Sequence, residues 1–203
     1  MKKSIMIVGV GGQGTLLASR IIGNLAISLG YDTKVSEVHG MSQRGGSVTT
    51  YVKYGDKIYS PIIDKGEADI ILAFETLEAY RALPYLKKDG IMVINNTEID
   101  PMPVITGQME YPKDIIKKLK EKVKVIELDS TKIATELGNP KCANVVLLGA
   151  FSKELDIPSD KWIEIIKETV PSKFIELNIN AFKKGMEIIW YTIKLSSAWI
   201  ESP

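Results

Sequence analysis

Residues 7–14 read Ile7-Val8-Gly9-Val10-Gly11-Gly12-Gln13-Gly14. The apolar run before this turn predicts a buried strand. Leucine and isoleucine residues at helical spacing predict a helix over 15–29 that Gly30 ends. A glycine-rich turn between strand and helix exposes backbone N–H groups at the helix N-terminus, where an anion is stabilised. We therefore expect a phosphate-binding turn made of Gly9, Gly11, Gly12, Gln13, Gly14 and Thr15.

The remaining pattern predicts an α/β fold. A second strand over 32–38 predicts a parallel pair with the first strand. Segments 48–54 and 57–63 flank Gly55-Asp56 and predict a β-hairpin. Apolar segments 68–74, 90–95 and 123–128 predict further strands, whereas helices are expected over 76–86, 112–121, 131–137, 143–155, 159–169 and from 173 into the 190s. Pro101 and Pro103 predict an extended connector.

We expect a three-layer α/β/α Rossmann-like fold with a mixed sheet, an inserted β-hairpin and a helical C-terminal third. The chain has 203 residues and shows no repeat or clear boundary, so we expect a single domain over 1–203. Its core is expected over about 1–186, with 187–203 as a C-terminal tail.

Composition narrows the function classes. A net charge of +1 argues against a dedicated nucleic-acid binder. The single cysteine, Cys142, cannot form a disulfide within the chain or ligate an iron–sulfur cluster by itself. The N-terminus lacks the pattern of a signal peptide, and no segment has 18 uninterrupted apolar residues. We therefore expect a cytoplasmic protein without a membrane span, a metal site or a catalytic residue of its own.

A second glycine-rich loop follows the second predicted strand. It combines an amide, a guanidinium and two glycines, and the guanidinium of Arg44 can bind a carboxylate or a phosphate in a bidentate manner. Ligands of open α/β sheets bind at the carboxyl edge of the strands, where both loops are expected. The candidate substrate or partner loop comprises Glu37, His39, Gly40, Met41, Gln43, Arg44, Gly45 and Gly46.

Two enzyme classes compete for the first glycine turn. Gly9, Gly11 and Gly14 have the spacing of a dinucleotide fingerprint, and Glu37 stands where an acidic residue would hold a ribose. A stand-alone NAD(P)-binding Rossmann protein therefore stays an alternative. A P-loop ATPase requires a lysine at the end of the turn, but Gly14 is followed by Thr15 and Leu16.

Lysines 117, 118, 120, 122 and 124 form a run of positive charge. A solvated helix face explains this run, and so does a docking site for an acidic partner.

The two loops together resemble the gamma-type subunit or domain of 2-oxoacid:ferredoxin oxidoreductases, and in particular the small subunit of the indolepyruvate enzymes. The resemblance covers the chain up to about residue 186. It continues at Phe74-Glu75, Asn144-Val145 and Asn180-Ala181. The segment Glu37-Val38-His39-Gly40-Met41 favours the arylpyruvate branch. A gamma subunit of a pyruvate or ketoisovalerate oxidoreductase stays an alternative.

The resemblance implies a division of labour within a complex. A large catalytic subunit would hold thiamine diphosphate, magnesium and 4Fe-4S clusters, decarboxylate an aryl 2-oxoacid, pass the acyl group to coenzyme A and deliver electrons to ferredoxin. We expect the first glycine turn to receive a phosphate of coenzyme A, and the Gln43–Gly46 loop to cover the thiamine site of that subunit. Alternatively, the glycine loops serve only in subunit docking. Neither nucleic acid nor a membrane is expected as a partner.

Overall fold

The computed structural model describes residues 2–40 and 45–198, with side chains described as far as residue 188. The chain divides into two compact units at the junction between Asp129 and Ser130. The first unit contains a six-stranded mixed sheet with its helices, and the second unit contains helices.

The first unit has the strand order β2-β3-β1-β4-β5-β6. Strands β1, β4, β5 and β6 are parallel neighbours, and β3 runs antiparallel to both β1 and β2. The elements are β1 (Lys3–Val10), α1 (Thr15–Ser28), β2 (Asp32–His39), β3 (Ser47–Gly55), β4 (Ala68–Ala73), α2 (Thr76–Ala82), β5 (Leu86–Asn95), α3 (Met102–Ile105), α4 (Ile115–Lys120) and β6 (Lys124–Leu128).

The position of β3 corrects two expectations. Strands β1 and β2 point the same way but are not a hydrogen-bonded pair, because β3 lies between them. The hairpin joins β2 to β3, and segment 57–63 forms no strand. Both edges of β3 are already paired, so no edge is left for a strand after Gly55. Instead, the carbonyl of Ile62 accepts a 2.6 Å hydrogen bond from the buried Lys53 Nζ.

Helices cover both faces of the sheet in the first unit. A Cβ at Gly23 of α1 would lie 3.3 Å from the Val35 side chain, which shares its face with the register partners Val52 and Ile5. The opposite face packs on α2 and α4. The hydrophobic cluster between this face and the two helices contains Met6, Ile71, Met92, Leu77, Ile115 and Leu119. The expected layers of helix, sheet and helix are therefore present in this unit.

Prolines explain two helix boundaries. The predicted helix over 76–86 ends early: α2 stops at Ala82, and a 3₁₀ turn over Leu83–Tyr85 contains Pro84. The expected extended connector is wrong at its centre, since Met102–Ile105 forms the short helix α3. Pro103 is tolerated there because the first helical turn needs no N–H donors.

The second unit consists of α5 (Ser130–Glu136), α6 (Ala143–Ser152), α7 (Ser159–Thr169) and α8 (Ile175–Ala198). Trp162 of α7 is fully buried and stacks on Phe182 at a centroid distance of 5.7 Å. It also meets Phe151 edge-on at 6.0 Å. Helix α8 continues through the position 186/187 at which we expected a tail to begin. Among the described residues, no helix is long and apolar enough to cross a membrane.

Helices α6 and α8 approach each other through two glycines. A Cβ on Gly149 would lie 2.1 Å from the Phe182 carbonyl oxygen, and a Cβ on Gly185 would lie 1.9 Å from the Val146 carbonyl oxygen. Both neighbours are backbone atoms, so they cannot move aside without shifting a helix.

We expect Gly185→Ala to lower the free energy of unfolding by about 3 kcal/mol, because overpacking strains a close-packed core. Denaturant unfolding of the purified chain measures this change. An exposed glycine-to-alanine change inside a helix has the opposite sign, with a gain of about 1 kcal/mol. Lys184→Ala, at the exposed neighbouring position, is the control. A Gly185→Ala chain that is more stable than the parent would contradict the close approach of α6 and α8.

Candidate functional site

The first glycine turn leads directly into α1. Gly14 is the N-cap residue and has a left-handed conformation with φ of 86°. Its carbonyl accepts hydrogen bonds from the backbone N–H groups of Leu17 and Ala18. In the described part of the chain, the N–H groups of Thr15 and Leu16 have no protein acceptor. The turn therefore presents donors and the positive end of the helix dipole at the carboxyl edge of β1.

The two glycine loops are hydrogen-bonded to each other. The N–H of Gly11 donates to the carbonyl of Gly46 at 2.8 Å, and the N–H of Gly45 donates to the carbonyl of Gly11 at 3.2 Å. Gly45 has a φ of 77°, a conformation that favours glycine. The loops therefore form one wall, as their expected place at the same sheet edge requires.

The Gln13 side chain braces the first turn. Its Oε1 accepts a 2.7 Å hydrogen bond from the Val10 N–H, and its Nε2 donates a 2.8 Å hydrogen bond to the Phe74 carbonyl. One amide thus joins the end of β1 to the end of β4. A Cβ at Gly9 would lie 2.9 Å from Gln13 Oε1 and 3.0 Å from the Phe74 Cβ, so the brace requires glycine at position 9.

The Phe74 carbonyl also connects β5 to this edge. The Nδ2 of the buried Asn95 donates to it at 3.2 Å and to Thr97 Oγ1 at 2.8 Å. The ends of three parallel strands therefore meet through one peptide group.

A buried carboxylate organises the adjacent loop. Glu75 is only 1% exposed and caps α2 by accepting a hydrogen bond from the Glu78 N–H at 2.8 Å. It also accepts hydrogen bonds from the Ile99 N–H and the Tyr111 hydroxyl, the latter at 2.6 Å. Burial, together with the Glu75 carboxylate, raises the pKa of Tyr111 far above its usual range. The phenol therefore stays protonated and remains a donor at all physiological pH values.

Glu78 ties the second loop to α2. Its carboxylate accepts 2.5 Å hydrogen bonds from the Ser47 hydroxyl and from the Arg81 guanidinium. Since Ser47 directly follows Gly45 and Gly46, this contact fixes the point at which the second loop enters β3.

A cleft of about 310 Å³ opens between the first turn and the ends of β2 and β3. Its lining residues are Gly11, Gly12, Gly14, Thr15, Leu16, Glu37, His39 and Val48. One wall offers backbone N–H groups, and the other carries one carboxylate and one imidazole. His39 Nδ1 lies 2.9 Å from the Gly40 carbonyl oxygen. No cluster of His, Cys, Asp and Glu able to hold a metal ion is found among the described residues.

The structure separates the candidate residues into four groups, apart from Gly40, which is exposed directly after β2. Six of them line the cleft: Gly11, Gly12, Gly14, Thr15, Glu37 and His39. Gly9 and Gln13 lie behind the turn and shape it, whereas Gly45 and Gly46 bond to Gly11. Met41, Gln43 and Arg44 lie outside the described residues. Binding of a ligand by any of these residues stays a prediction.

Sequence reasoning assigned no role to Ser47, Glu78, Asn95 or Tyr111. Each is a common polar residue without a recognisable local motif. Their hydrogen-bond partners are distant in sequence: Ser47 and Glu78 are 31 positions apart, and Tyr111 and Glu75 are 36 apart. Asn95 bonds to Phe74, 21 positions away, and to Thr97, two positions away. The one local signal was Glu78 at the third position of the helix predicted over 76–86, where a glutamate is typical of a capping box.

The inserted strand weakens the dinucleotide alternative. In a Rossmann site the acidic residue ends the strand next to the glycine-rich strand. Here Glu37 lies on β2, two strand spacings from β1, or about 9–10 Å in place of 4.8 Å.

The sequence matches the family model described as pyruvate ferredoxin/flavodoxin oxidoreductase over residues 4–188. It is 44% identical to the indolepyruvate oxidoreductase subunit IorB of Thermococcus kodakarensis, over 91% of this chain and 94% of that protein. It is 37% identical to the subunit of the same name in Archaeoglobus fulgidus, again over 91% and 94%. The pyruvate synthase subunit PorC of Methanothermobacter thermautotrophicus is 30% identical, over 89% and 92%.

Solved structures share the fold. The keto/oxoacid ferredoxin oxidoreductase gamma subunit of Geobacter sulfurreducens has a TM-score of 0.70 at 23% identity, over 93% of this chain and 99% of that one. A 2-oxoglutarate:ferredoxin oxidoreductase of Magnetococcus marinus, with 2-oxoglutarate, coenzyme A and succinyl-CoA bound, has a TM-score of 0.72 at 19% identity. That match covers 94% of this chain and 31% of the longer chain. The chain therefore belongs to the pyruvate ferredoxin/flavodoxin oxidoreductase family.

Proposed function

We propose that the chain is the small, cluster-free subunit of an oxidoreductase that decarboxylates aryl 2-oxoacids of the indolepyruvate type, forms acyl-CoA and reduces ferredoxin. The observation that carries this proposal is the near-full-length similarity to four archaeal IorB subunits, at 36–44% identity. Similarity to PorC and KorC subunits is lower, at 29–30%.

A large subunit is the proposed partner, and it would hold thiamine diphosphate, magnesium and the 4Fe-4S clusters. The donor chemistry of this chain supports that assignment, because its single cysteine, Cys142, is buried and cannot complete a cluster. The isolated chain is therefore expected to be inactive. We place the complex in the cytoplasm, where low-potential electron carriers work.

We further propose that the cleft receives a phosphate of coenzyme A. The supporting geometry is the pair of N–H groups on Thr15 and Leu16, which face no protein acceptor among the described residues and add to the helix dipole. The carboxylate of Glu37 repels a phosphate from the opposite wall. The anion therefore belongs at the helix end of the cleft, with less charged parts of the ligand near β2.

The Gln43–Gly46 loop is proposed to cover the thiamine site of the large subunit. The described residues on either side of Gln43 and Arg44 support this proposal: Gly40 follows the cleft residue His39, and Gly45 bonds to the cleft residue Gly11.

The whole complex tests the proposed activity. Co-expression with the large subunit without oxygen should give a brown complex that reduces a viologen dye when it receives arylpyruvate and coenzyme A. We expect kcat/KM for indolepyruvate to exceed that for pyruvate by at least about tenfold, the usual discrimination of an apolar pocket. A preference for pyruvate would move the chain to the PorC branch. A colourless, lone chain that binds NADH would restore the dinucleotide alternative.

Gly12→Val tests the cleft. Gly12 has a φ of 108° with open space around its missing Cβ, so a valine side chain would project from a strained backbone beside the helix end. We expect the KM for coenzyme A to rise about tenfold or more, the factor expected when one charge-assisted hydrogen bond is lost. Gly30→Val is the matched control, because Gly30 has a φ of 84° and open space at the other end of α1. Equal KM values for coenzyme A in the two variants would show that coenzyme A does not bind in the cleft.

Arg44→Ala tests the second loop. If Arg44 binds an anionic group, its loss raises the KM for coenzyme A or for the oxoacid about tenfold or more, while the complex stays assembled. Steady-state kinetics and size-exclusion chromatography measure the two effects. Arg20→Ala, at an exposed position of α1, is the control. A smaller yield of complex with normal turnover would instead assign the loop to subunit docking.

A further inference from the structure

A positively charged surface surrounds α4 and the start of β6. We call it the basic face, and its exposed members are Lys113, Lys117, Lys118, Lys120, Lys122 and Lys124. Helix α4 buries Ile115 and Leu119 against the sheet, so its lysines point to solvent. The segment 113–124 holds these six lysines against two carboxylates, although the whole chain has a net charge of only +1. Positive charge is therefore concentrated here.

Among the described residues, ion pairs neutralise only part of this charge. Lys120 pairs with Glu127 at 2.9 Å. Lys118 donates to the backbone carbonyl of Lys113 at 2.8 Å, which leaves its charge uncompensated. Lys113, Lys117 and Lys122 have no ion-pair partner among the described residues. The potential of several unpaired lysines adds up and extends about 8–10 Å into solvent.

The basic face continues across the sheet edge. The register pairs Lys124 of β6 with Ile91 of β5, so Lys122 and Lys88 lie at the same amino edge of neighbouring strands. Lys88 is exposed and borders a second cleft of about 400 Å³, whereas Lys87 is paired with Asp69.

Exposed apolar side chains precede the basic face in the chain. Met102, Ile105 and Met109 are 66%, 65% and 62% exposed. Met109 precedes Lys113 by four residues, which limits their separation to about 14 Å. Apolar side chains, methionine among them, with charged residues at the margin are typical of a protein interaction surface.

We propose that the basic face docks the small acidic protein that carries electrons away from the complex. This inference rests on the proposed function. Charge complementarity selects an acidic occupant, and the overall charge of +1 does not favour nucleic acid. Unpaired lysines speed the encounter with an oppositely charged partner that must bind and leave in every cycle. The donor cluster itself belongs to the large subunit.

Charge reversal tests this surface in the assembled complex. We expect Lys117→Glu/Lys118→Glu to raise the KM for an acidic ferredoxin about tenfold at low ionic strength, and the difference to shrink at high salt. Turnover with methyl viologen, a small cation that needs no docking surface, should stay unchanged. Lys57→Glu/Lys65→Glu is the matched control, because both positions are exposed and lie outside the helices.

Two results would overturn the proposal. An unchanged KM for ferredoxin would show that the carrier docks elsewhere. Loss of the large subunit from the purified variant, with a parallel loss of viologen turnover, would assign the basic face to the subunit interface. A parent complex that reduces neither acceptor with any 2-oxoacid would instead refute the proposed function, and this inference with it.

Discussion

The amide of Gln13 holds the carboxyl edge of the sheet together. It accepts a hydrogen bond from the Val10 N–H at the end of β1 and donates one to the Phe74 carbonyl at the end of β4. The same carbonyl accepts a hydrogen bond from the Asn95 side chain at the end of β5. The Gln13 side chain supplements the backbone hydrogen bonds of the turn, whose glycines have no side chains that could hold it. The cleft and the bonds from Gly11 to the second loop depend on the shape of this turn.

The antiparallel strand β3 explains why this fold differs from a dinucleotide-binding one. It places the end of β2 two strand spacings from β1. This leaves room for a cleft between the N-terminus of α1 and Glu37. It also carries Ser47, which Glu78 fixes from the opposite face of the sheet. One inserted strand thus widens the site and anchors the loop that borders it. One wall of the cleft offers backbone donors and the other carries an acidic side chain, so the proposed phosphate is expected at the helix end.

Local patterns predicted the elements whose signals are local. The turn at Gly9–Gly14, helix α1 and the buried strands follow from apolar periodicity and glycine spacing. The strands that pair with β3 could not be predicted in this way. Gly55-Asp56 is a good turn signal whether the chain continues into a hairpin strand over 57–63 or leaves the sheet, as it does here. Strand pairing depends on which edges are still open when the sheet is complete. The glycine spacing also predicts Gln13 at a ligand site; the structure shows its amide bonded to Val10 and Phe74, and its contact with a ligand stays a prediction.

The carboxyl edge of the sheet and the basic face differ in how they are built. The carboxyl edge is built from backbone donors and buried polar contacts, which hold a fixed geometry. The basic face is built from long, exposed lysines on α4 and β6, whose charges act at a distance and demand no fixed geometry. A rigid site favours selective binding, whereas a mobile charged surface favours rapid and reversible encounters. The proposed function requires both, because the complex would bind a substrate selectively and pass electrons to a carrier that leaves after every cycle.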